Sequence, residues 1–247
     1  MQTSARSAVL MDVVIPRSAG QSAAMRVARD VALMVGFAGF VALCAQVAIR
    51  LPWTTVPITG QTFAVLVTGC ALGAKRGAGS LLVYMLMGMA SIPVFAPGGS
   101  ALPQGTWGVH FILPWSGTDA LPWDISSGGY IVGFIPAAYV AGHFAQRAWD
   151  RKPWGILAML GGNAILYVPG LLWLYYLIAT DWIPAGAAKP LGEYIAGSGS
   201  WGKTLSGGLY PFIIGDLMKL YLATLALPSA WALVNRLKGG GSRPPAA

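Results

Sequence analysis

Long apolar runs, each near the length of a membrane-crossing helix, are the dominant pattern along the chain. A helix needs about 20 mostly apolar residues to cross the hydrocarbon core of a bilayer. Six such windows are present, at 31–51, 55–74, 78–96, 128–149, 154–180 and 209–234. Pro57 and Gly60 interrupt the second window, which predicts an irregular entry covered by protein or by a cavity. The pattern therefore predicts an all-α integral membrane protein with six transmembrane helices.

The segments outside the windows predict a single membrane domain with two polar ends. Residues 1–24 form a polar N-terminal segment, and they lack the long apolar stretch of a cleaved signal peptide. Residues 238–247 are rich in Gly, Pro and Ser, which predicts a flexible C-terminal tail. No internal repeat and no second domain is apparent in the sequence, so residues 25–237 are expected to form one six-helix membrane domain.

The positions of the basic residues predict how the chain lies in the membrane. Charged residues make up 10% of the 247 residues, against about 25% in a soluble domain. Arg50, Lys189 and Lys203 fall on one side of the predicted spans, and Lys219 lies inside the last one. The other twelve fall on the opposite side: Arg6, Arg17, Arg26, Arg29, Lys75, Arg76, Arg147, Arg151, Lys152, Arg236, Lys238 and Arg243. Because cytoplasmic loops are enriched in Lys and Arg, both termini are predicted to be cytoplasmic.

Several functional classes are excluded by the same sequence. The net charge of +8 does not indicate nucleic-acid binding, because the basic residues form no patch interleaved with aromatics. The chain has no zinc-protease motif, no nucleophile elbow and no phosphate-binding Gly-rich loop with Lys, so it has no such route to ATP hydrolysis. Cys44 and Cys70 lie in apolar windows and predict core positions, not a metal site, and His110 and His143 are assigned no function. A membrane-embedded binding subunit energised by another protein fits best.

A pair of opposite charges inside the last window is the strongest chemical signal. Asp216 and Lys219 are three residues apart, so on a helix they share one face and can touch. Each is costly in hydrocarbon, and an ionisable residue within a membrane span marks a functional site by default. An ammonium can bind a ligand carboxylate, and a carboxylate can accept hydrogen bonds from ligand N–H groups. The pair is consistent with a structural ion pair or with a site for a small zwitterionic or anionic molecule.

Other polar side chains lie at membrane depth and predict a polar lining for such a site. Gln61 follows the interrupted start of the second window, and Tyr130 lies near the start of the fourth. Asn163 and Tyr167 are four residues apart in the fifth window and share a helix face. Each residue alone is more typical of an interhelical hydrogen bond than of a ligand contact. Together with the charged pair, they predict a binding cavity.

Two long loops and the small residues of one helix are further features of the sequence. The predicted outer loops, 97–127 and 181–208, are long, which indicates either a cover over the site or an unstructured connection. Two pairs in the first window, Ala32 with Gly36 and Ala38 with Ala42, have the four-residue spacing that lets another helix approach closely. That helix belongs either to the same bundle or to a partner protein.

Several of these motifs together resemble the BioY family of biotin transporters, the substrate-binding (S) components of energy-coupling factor (ECF) transporters. The specific elements are Pro57-Ile-Thr-Gly-Gln61 and Gly215-Asp216-Leu-Met-Lys219. The supporting elements are Leu72-Gly…Gly77, Pro93-Val-Phe95 with Gly98-Gly99, Gly129-Tyr130…Gly133-Phe134 and Gly162-Asn163…Tyr167. The resemblance covers about residues 25 to 237.

The resemblance implies an S-component bundle in the bacterial plasma membrane that binds biotin with high affinity from the outside. Asp216 and Lys219 match the family's biotin contacts, and Ser100 is the nearest match to a further polar contact. Ala38 and Ala42 match the small residues that meet the transmembrane coupling (T) subunit, which acts with two ABC-type ATPases. Biotin is then the transported substrate, and no cofactor is implied. We expect the biotin carboxylate at Lys219 and the ureido N–H groups at Asp216.

Other functions stay open at this point. The chain is consistent with a biotin S component, with a solitary biotin transporter, and with an S component for another vitamin-like molecule. A membrane enzyme using Lys219 as a base is a further alternative, although no second acid or metal ligand lies nearby in the sequence.

Overall fold

The computed structural model describes residues 8–18, 20–97, 107–151 and 155–239, and its long elements are helices. Each of the six apolar windows overlaps one of them, namely α2 (Ala23–Ala45), α3 (Gln61–Leu72), α4 (Ala74–Met89), α5 (Gly128–Ala145), α6 (Gly155–Ala179) and α8 (Tyr210–Gly239). Two shorter helices are α1 (Leu10–Val14) and α7 (Gly199–Gly208). Among the described residues, three segments are long and apolar enough to cross a membrane: Ala23–Ala45, Gly155–Ala179 and Gly199–Leu237.

The boundaries of the first three helices correct the predicted windows. Helix α2 begins at Ala23, inside the segment predicted to be polar and irregular, and ends at Ala45. Helix α3 starts only at Gln61, because Pro57 lacks a backbone N–H and the chain after it pairs as a strand. Residues 75–77, which separate the second and third apolar windows, lie within α4, since Gly73 alone turns the chain, with a φ of 82° that favours glycine.

Both predicted outer loops contain regular structure in their described parts. Strands β1 (Ala48–Arg50), β2 (Ile58–Thr59) and β3 (Gly108–His110) form an antiparallel sheet in the order β2-β1-β3. Within these loops, single 3₁₀ turns occur at Pro122–Asp124 and Leu191–Glu193. A third 3₁₀ turn, Trp149–Arg151, lies outside them, between α5 and α6. An unstructured connection is therefore the wrong interpretation of the described loop residues.

Helix α5 packs against α3, α4 and α6 through small residues. A side-chain carbon added at Gly69 would meet the Ala138 backbone, and one added at Gly142 would meet the backbone at Gly73. A carbon added at Gly133 would likewise meet the backbone of Leu166. Close approach of backbones through small residues is typical of helix packing in membranes.

The two ends of the bundle differ in chemistry. At one end, which we call the pocket end, α3, α5 and α8 begin and the sheet covers their starts. At the opposite end, the basic end, α1 packs against α3 and α8, and Asp12 is bound by Arg29 and Arg76. Burial alone would raise the pKa of Asp12, but the hydrogen bonds and charges of the two arginines outweigh it and lower that pKa.

Candidate functional site

A cavity lies among the helices at the pocket end, and the space in it that water can occupy measures about 60 Å³. Aromatic rings form much of the wall, contributed by Phe95, Tyr130, Phe134, Tyr167 and Phe212. Polar groups are contributed by Thr59, Gln61, Thr62, Ser127, Asp216 and Lys219.

Asp216 and Lys219 form an ion pair in the wall of this cavity, at the first turns of α8. The Lys219 Nζ donates to a carboxylate oxygen of Asp216 at 2.9 Å, which confirms the contact expected from their spacing. The Lys219 side chain is 15% exposed and the Asp216 side chain is 5% exposed. Solvent therefore screens the attraction between the two charges only weakly.

The carboxylate of Asp216 is fully hydrogen-bonded by the protein itself. One oxygen accepts from Lys219 and from the Thr62 hydroxyl at 3.1 Å. The other accepts from the Asn163 amide at 3.2 Å and from the Tyr167 hydroxyl at 2.6 Å. An ionised carboxylate offers about four lone-pair sites, and all four are occupied. The expectation that ligand N–H groups bind Asp216 directly does not fit this arrangement.

Lys219 has unused donors. An ammonium carries three N–H donors, and among the described residues Lys219 gives one hydrogen bond, to Asp216. The remaining donors are available to an anion entering the cavity. Asp216 therefore holds the ammonium by a hydrogen bond, and Lys219 is the partner with donors to spare.

Gln61 lies at the first residue of α3 and is fixed by a chain of hydrogen bonds. Its Nε2 donates to the Tyr84 hydroxyl at 2.6 Å, and that hydroxyl donates to the Val94 carbonyl at 3.1 Å. The Thr59 hydroxyl donates to Gln61 Oε1 at 2.8 Å. The amide thus keeps one N–H and one lone pair that face a cavity it lines. Sequence reasoning missed Tyr84, whose signal was a hydroxyl within the apolar stretch 81–89.

Tyr130 and Asn163 both lie close to the charged pair. The Tyr130 hydroxyl donates to the Gly208 carbonyl at 2.7 Å, so its ring, not its hydroxyl, faces the cavity. That ring meets the ring of Tyr167 edge to face, with centroids 5.9 Å apart. Asn163 has a buried amide oxygen with no hydrogen-bond partner among the described residues, which leaves an acceptor beside the site.

The remaining predicted residues lie elsewhere. Ser100 is outside the described residues. Ala38 and Ala42 are buried in the chain's own core, because the face they share points into the bundle. They are therefore not available to a partner in this arrangement, which corrects that prediction. His110 ties β3 to the Gln46 carbonyl at 2.7 Å and does not line the cavity.

The exposed face of α2 carries a different set of small residues. Ala32 and Gly36 are four residues apart on that face, and Gly39 follows on the same side. A side-chain carbon added at Gly36 or Gly39 would meet nothing within 4 Å. Of the two expected pairs on α2, Ala32 with Gly36 is therefore the one on an open face.

Comparison with known proteins gives consistent matches over most of the chain. The model of the BioY family matches residues 16–236. The putative biotin transporter BioYB of Bacillus subtilis is 34% identical over 144 residues, which span 57% of this chain and 63% of that protein. The biotin transporter BioY of Rhizobium etli is 30% identical over 206 residues, or 80% of this chain and 90% of that protein.

One solved structure has the same fold. It is the crystal structure of the S-component for biotin from an ECF-type ABC transporter, which superposes with a TM-score of 0.58. The superposition covers 89% of this chain and 95% of that chain at 18% sequence identity. The helical bundle described above is therefore an S-component fold.

Proposed function

This chain belongs to the BioY family, and we propose that it is the biotin-binding membrane subunit of a biotin uptake system. The family is one of transporters, and the chain is an integral membrane protein rather than an enzyme. The main support is the ammonium of Lys219, which is fixed by Asp216 in a cavity walled by aromatic rings. That combination suits a ligand with a carboxylate at one end and a flat, weakly polar ring system at the other.

The donor pattern supports one orientation of biotin. The carboxylate of the valerate chain meets Lys219, because that ammonium has unused donors and an anion complements it. The bicyclic ring packs against Tyr130 and Phe134, and the ureido group meets the free N–H and lone pair of Gln61. Asp216 acts as a positioning residue for the ammonium. Ser100 stays a proposed further contact.

We propose six membrane crossings with both termini in the cytoplasm, so that the cavity opens outward. Arg50, Lys189 and Lys203 lie at the pocket end, whereas most other basic residues of the described chain lie towards the basic end. Helix α3, with 12 residues, spans about 18 Å, which is shorter than a hydrocarbon core of about 30 Å. Its extended approach is covered by the sheet, as irregular backbone at membrane depth requires.

We propose that energy for uptake comes from a T subunit and two ABC-type ATPases. The chain carries no phosphate-binding loop, and its fold is that of an S component. The exposed small residues Ala32 and Gly36 on α2 offer the T subunit a surface for close helix approach. Uptake of labelled biotin by cells expressing this chain, with and without those subunits, separates this assembly from a solitary transporter.

Calorimetric titration of the purified protein with a panel of small vitamins tests the substrate. Biotin should bind saturably with one site per chain, while cationic thiamine and the bulkier riboflavin should give no heat of binding. Saturable binding of another vitamin without binding of biotin would refute the biotin assignment in favour of a different S component. Chemical conversion of the bound ligand would instead indicate an enzyme.

A further inference from the structure

A ribbon of large apolar side chains is exposed at the pocket end, outside the cavity. It comprises residues 107–115, which we call the outer ribbon. Its exposed side chains fall at every second position and are Trp107 (65% exposed), Val109 (77%), Phe111 (67%), Leu113 (79%) and Trp115 (43%). Alternate residues of an extended chain point to one side, so Trp107, Val109 and Phe111 form one apolar face along β3, and the chain bends after it at 112–114.

The sheet continues this face. Val109 pairs with Ile49 of β1, and Ile49 pairs with Ile58 of β2, so one apolar row crosses three strands. Trp53 meets Trp107 edge to face at 5.1 Å, which extends the row at its edge. The other side of the ribbon is tied to the protein, since His110 bonds the Gln46 carbonyl. The ribbon therefore has an attached side and an unoccupied apolar side.

The unoccupied side continues the outward surface of α2. Strand β1 begins at Ala48, directly after α2 ends at Ala45, so the sheet starts at the end of a membrane-length helix. Leu43 on the last turn of α2 is 41% exposed, and Ile49 beyond it is 38% exposed. From residue 77 to residue 118 the sequence contains no Asp, Glu, Lys or Arg, which is unusual for a segment that faces water.

We propose that the outer ribbon lies on the outer leaflet of the bilayer and inserts Trp107, Val109, Phe111 and Leu113 at the headgroup level. Tryptophan is enriched at that level, and binding to an interface scales with the apolar area buried there. The ribbon is thus an anchor in lipid and not a cover over the cavity.

The anchor reaches the ligand cavity through its attached side. The Trp115 indole donates to the Pro93 carbonyl at 2.8 Å, and Phe95 and Thr118 bond each other's backbones at 2.8 and 3.2 Å. Phe95 is part of the cavity wall. Insertion of the ribbon in the bilayer therefore fixes one wall of the cavity relative to the membrane surface.

Spin labels on single cysteines test the proposal in the full chain reconstituted in lipid nanodiscs. The background is Cys44→Ala with Cys70→Ala, and the labelled variants are Val109→Cys and Phe111→Cys. Leu43→Cys on α2 is the lipid control, and Asp119→Cys, an exposed position beyond the ribbon, is the water control. Collision rates with oxygen and with a water-soluble nickel chelate report the surroundings of each label.

Both ribbon labels should resemble the Leu43 label, with high accessibility to oxygen and low accessibility to nickel. Their ratio of oxygen to nickel accessibility should be at least threefold higher than that of the Asp119 label. Ribbon labels that match Asp119 would show that the face lies in water and would overturn the proposal. Low accessibility to both reagents with dipolar broadening would show a second copy on this face and would overturn it too. Ligand binding is not needed for the readout, so failure of the biotin assignment leaves this test intact.

Discussion

Two groups of opposite charges lie at opposite ends of this bundle, and they differ in how many of their donors are in use. At the basic end, Asp12 and Asp30 are bridged by Arg17, Arg29 and Arg76 over 2.8–3.3 Å. The Arg29 guanidinium also donates to the Ile15 carbonyl at 3.1 Å. Each carboxylate of this network is bound by at least two arginines, which is typical of a structural role.

The cavity pair at the pocket end is satisfied on one side only. Asp216 accepts four hydrogen bonds from the protein, whereas Lys219 gives one. The unused donors face an aromatic cavity and not bulk water. An ammonium with unused donors beside a cavity is therefore the feature that separates this pair from the network at the basic end.

Removal of the ammonium is the sharpest test of this difference. Lys219→Ala should weaken biotin binding by at least tenfold and up to about a thousandfold, because truncating one partner of a buried charge pair costs about 2–5 kcal/mol. Lys189→Ala is the matched control, since Lys189 is an exposed pocket-end lysine paired with Glu193. It should leave the titration curve unchanged.

The methyl ester of biotin shows whether Lys219 meets the carboxylate. The wild-type chain should prefer biotin to its uncharged ester, and Lys219→Ala should bind both equally weakly. A variant that keeps the wild-type preference would place the carboxylate elsewhere in the cavity.

Neutralising the acid in the cavity should have the next largest effect. Asp216→Asn should weaken biotin binding by about tenfold or more, because the uncharged amide no longer holds the ammonium. The amide NH2 group would also face hydrogen-bond donors in place of the carboxylate oxygen that accepted from them. Asp119→Asn, on an exposed loop position, is the control. Unchanged affinity in Asp216→Asn would show that the pair is structural, like the network at the basic end.

Sequence spacing predicted this site in outline. The separation of Asp216 and Lys219 and the shared face of Asn163 and Tyr167 follow from helical periodicity, and all four side chains meet. Spacing did not show which partner keeps its donors, because Thr62 comes from a helix distant in sequence. Numbers of hydrogen bonds depend on tertiary contacts that a local pattern does not contain.

The other differences have the same origin. The separation of Ala38 from Ala42 predicts a shared face, but which neighbour covers that face depends on how α2 is rotated in the bundle. Strand β3 pairs with β1 across about sixty residues of sequence, and the alternation of Trp107, Val109 and Phe111 does not show which strand is its partner. The windows located the helices well, because hydrophobic length is a local property.

Breaking the network at the basic end should change stability and not affinity. Arg76→Ala removes bridges to Asp12 and Asp30 and should lower the free energy of unfolding by roughly 1 kcal/mol, given the partial exposure of the carboxylates. Thermal unfolding in detergent measures the loss, and biotin titration should match the wild-type curve. Weakened binding without a loss of stability would contradict a purely structural role.

The smallest expected effect is a pH dependence at the basic end. The pKa of Asp12 lies below its ordinary value of 3.8, so its charge stabilises the folded chain above about pH 4, and this contribution is lost as the pH falls further. The difference in melting temperature between the wild type and Asp12→Asn should be constant near neutral pH. It should shrink below about pH 4, and a gap that grows there would have the wrong sign.

The glycines at the contacts between α5 and its neighbours have a consequence for the gene as well as for the bundle. Every missense change of a glycine codon adds at least one carbon, and at Gly69, Gly133 and Gly142 that carbon would meet a neighbouring backbone. At Gly36 and Gly39, on the open face of α2, the same change meets nothing. In a library of all single substitutions selected for biotin uptake, glycine codons should therefore separate into two classes, one that tolerates alanine and one that tolerates no substitution.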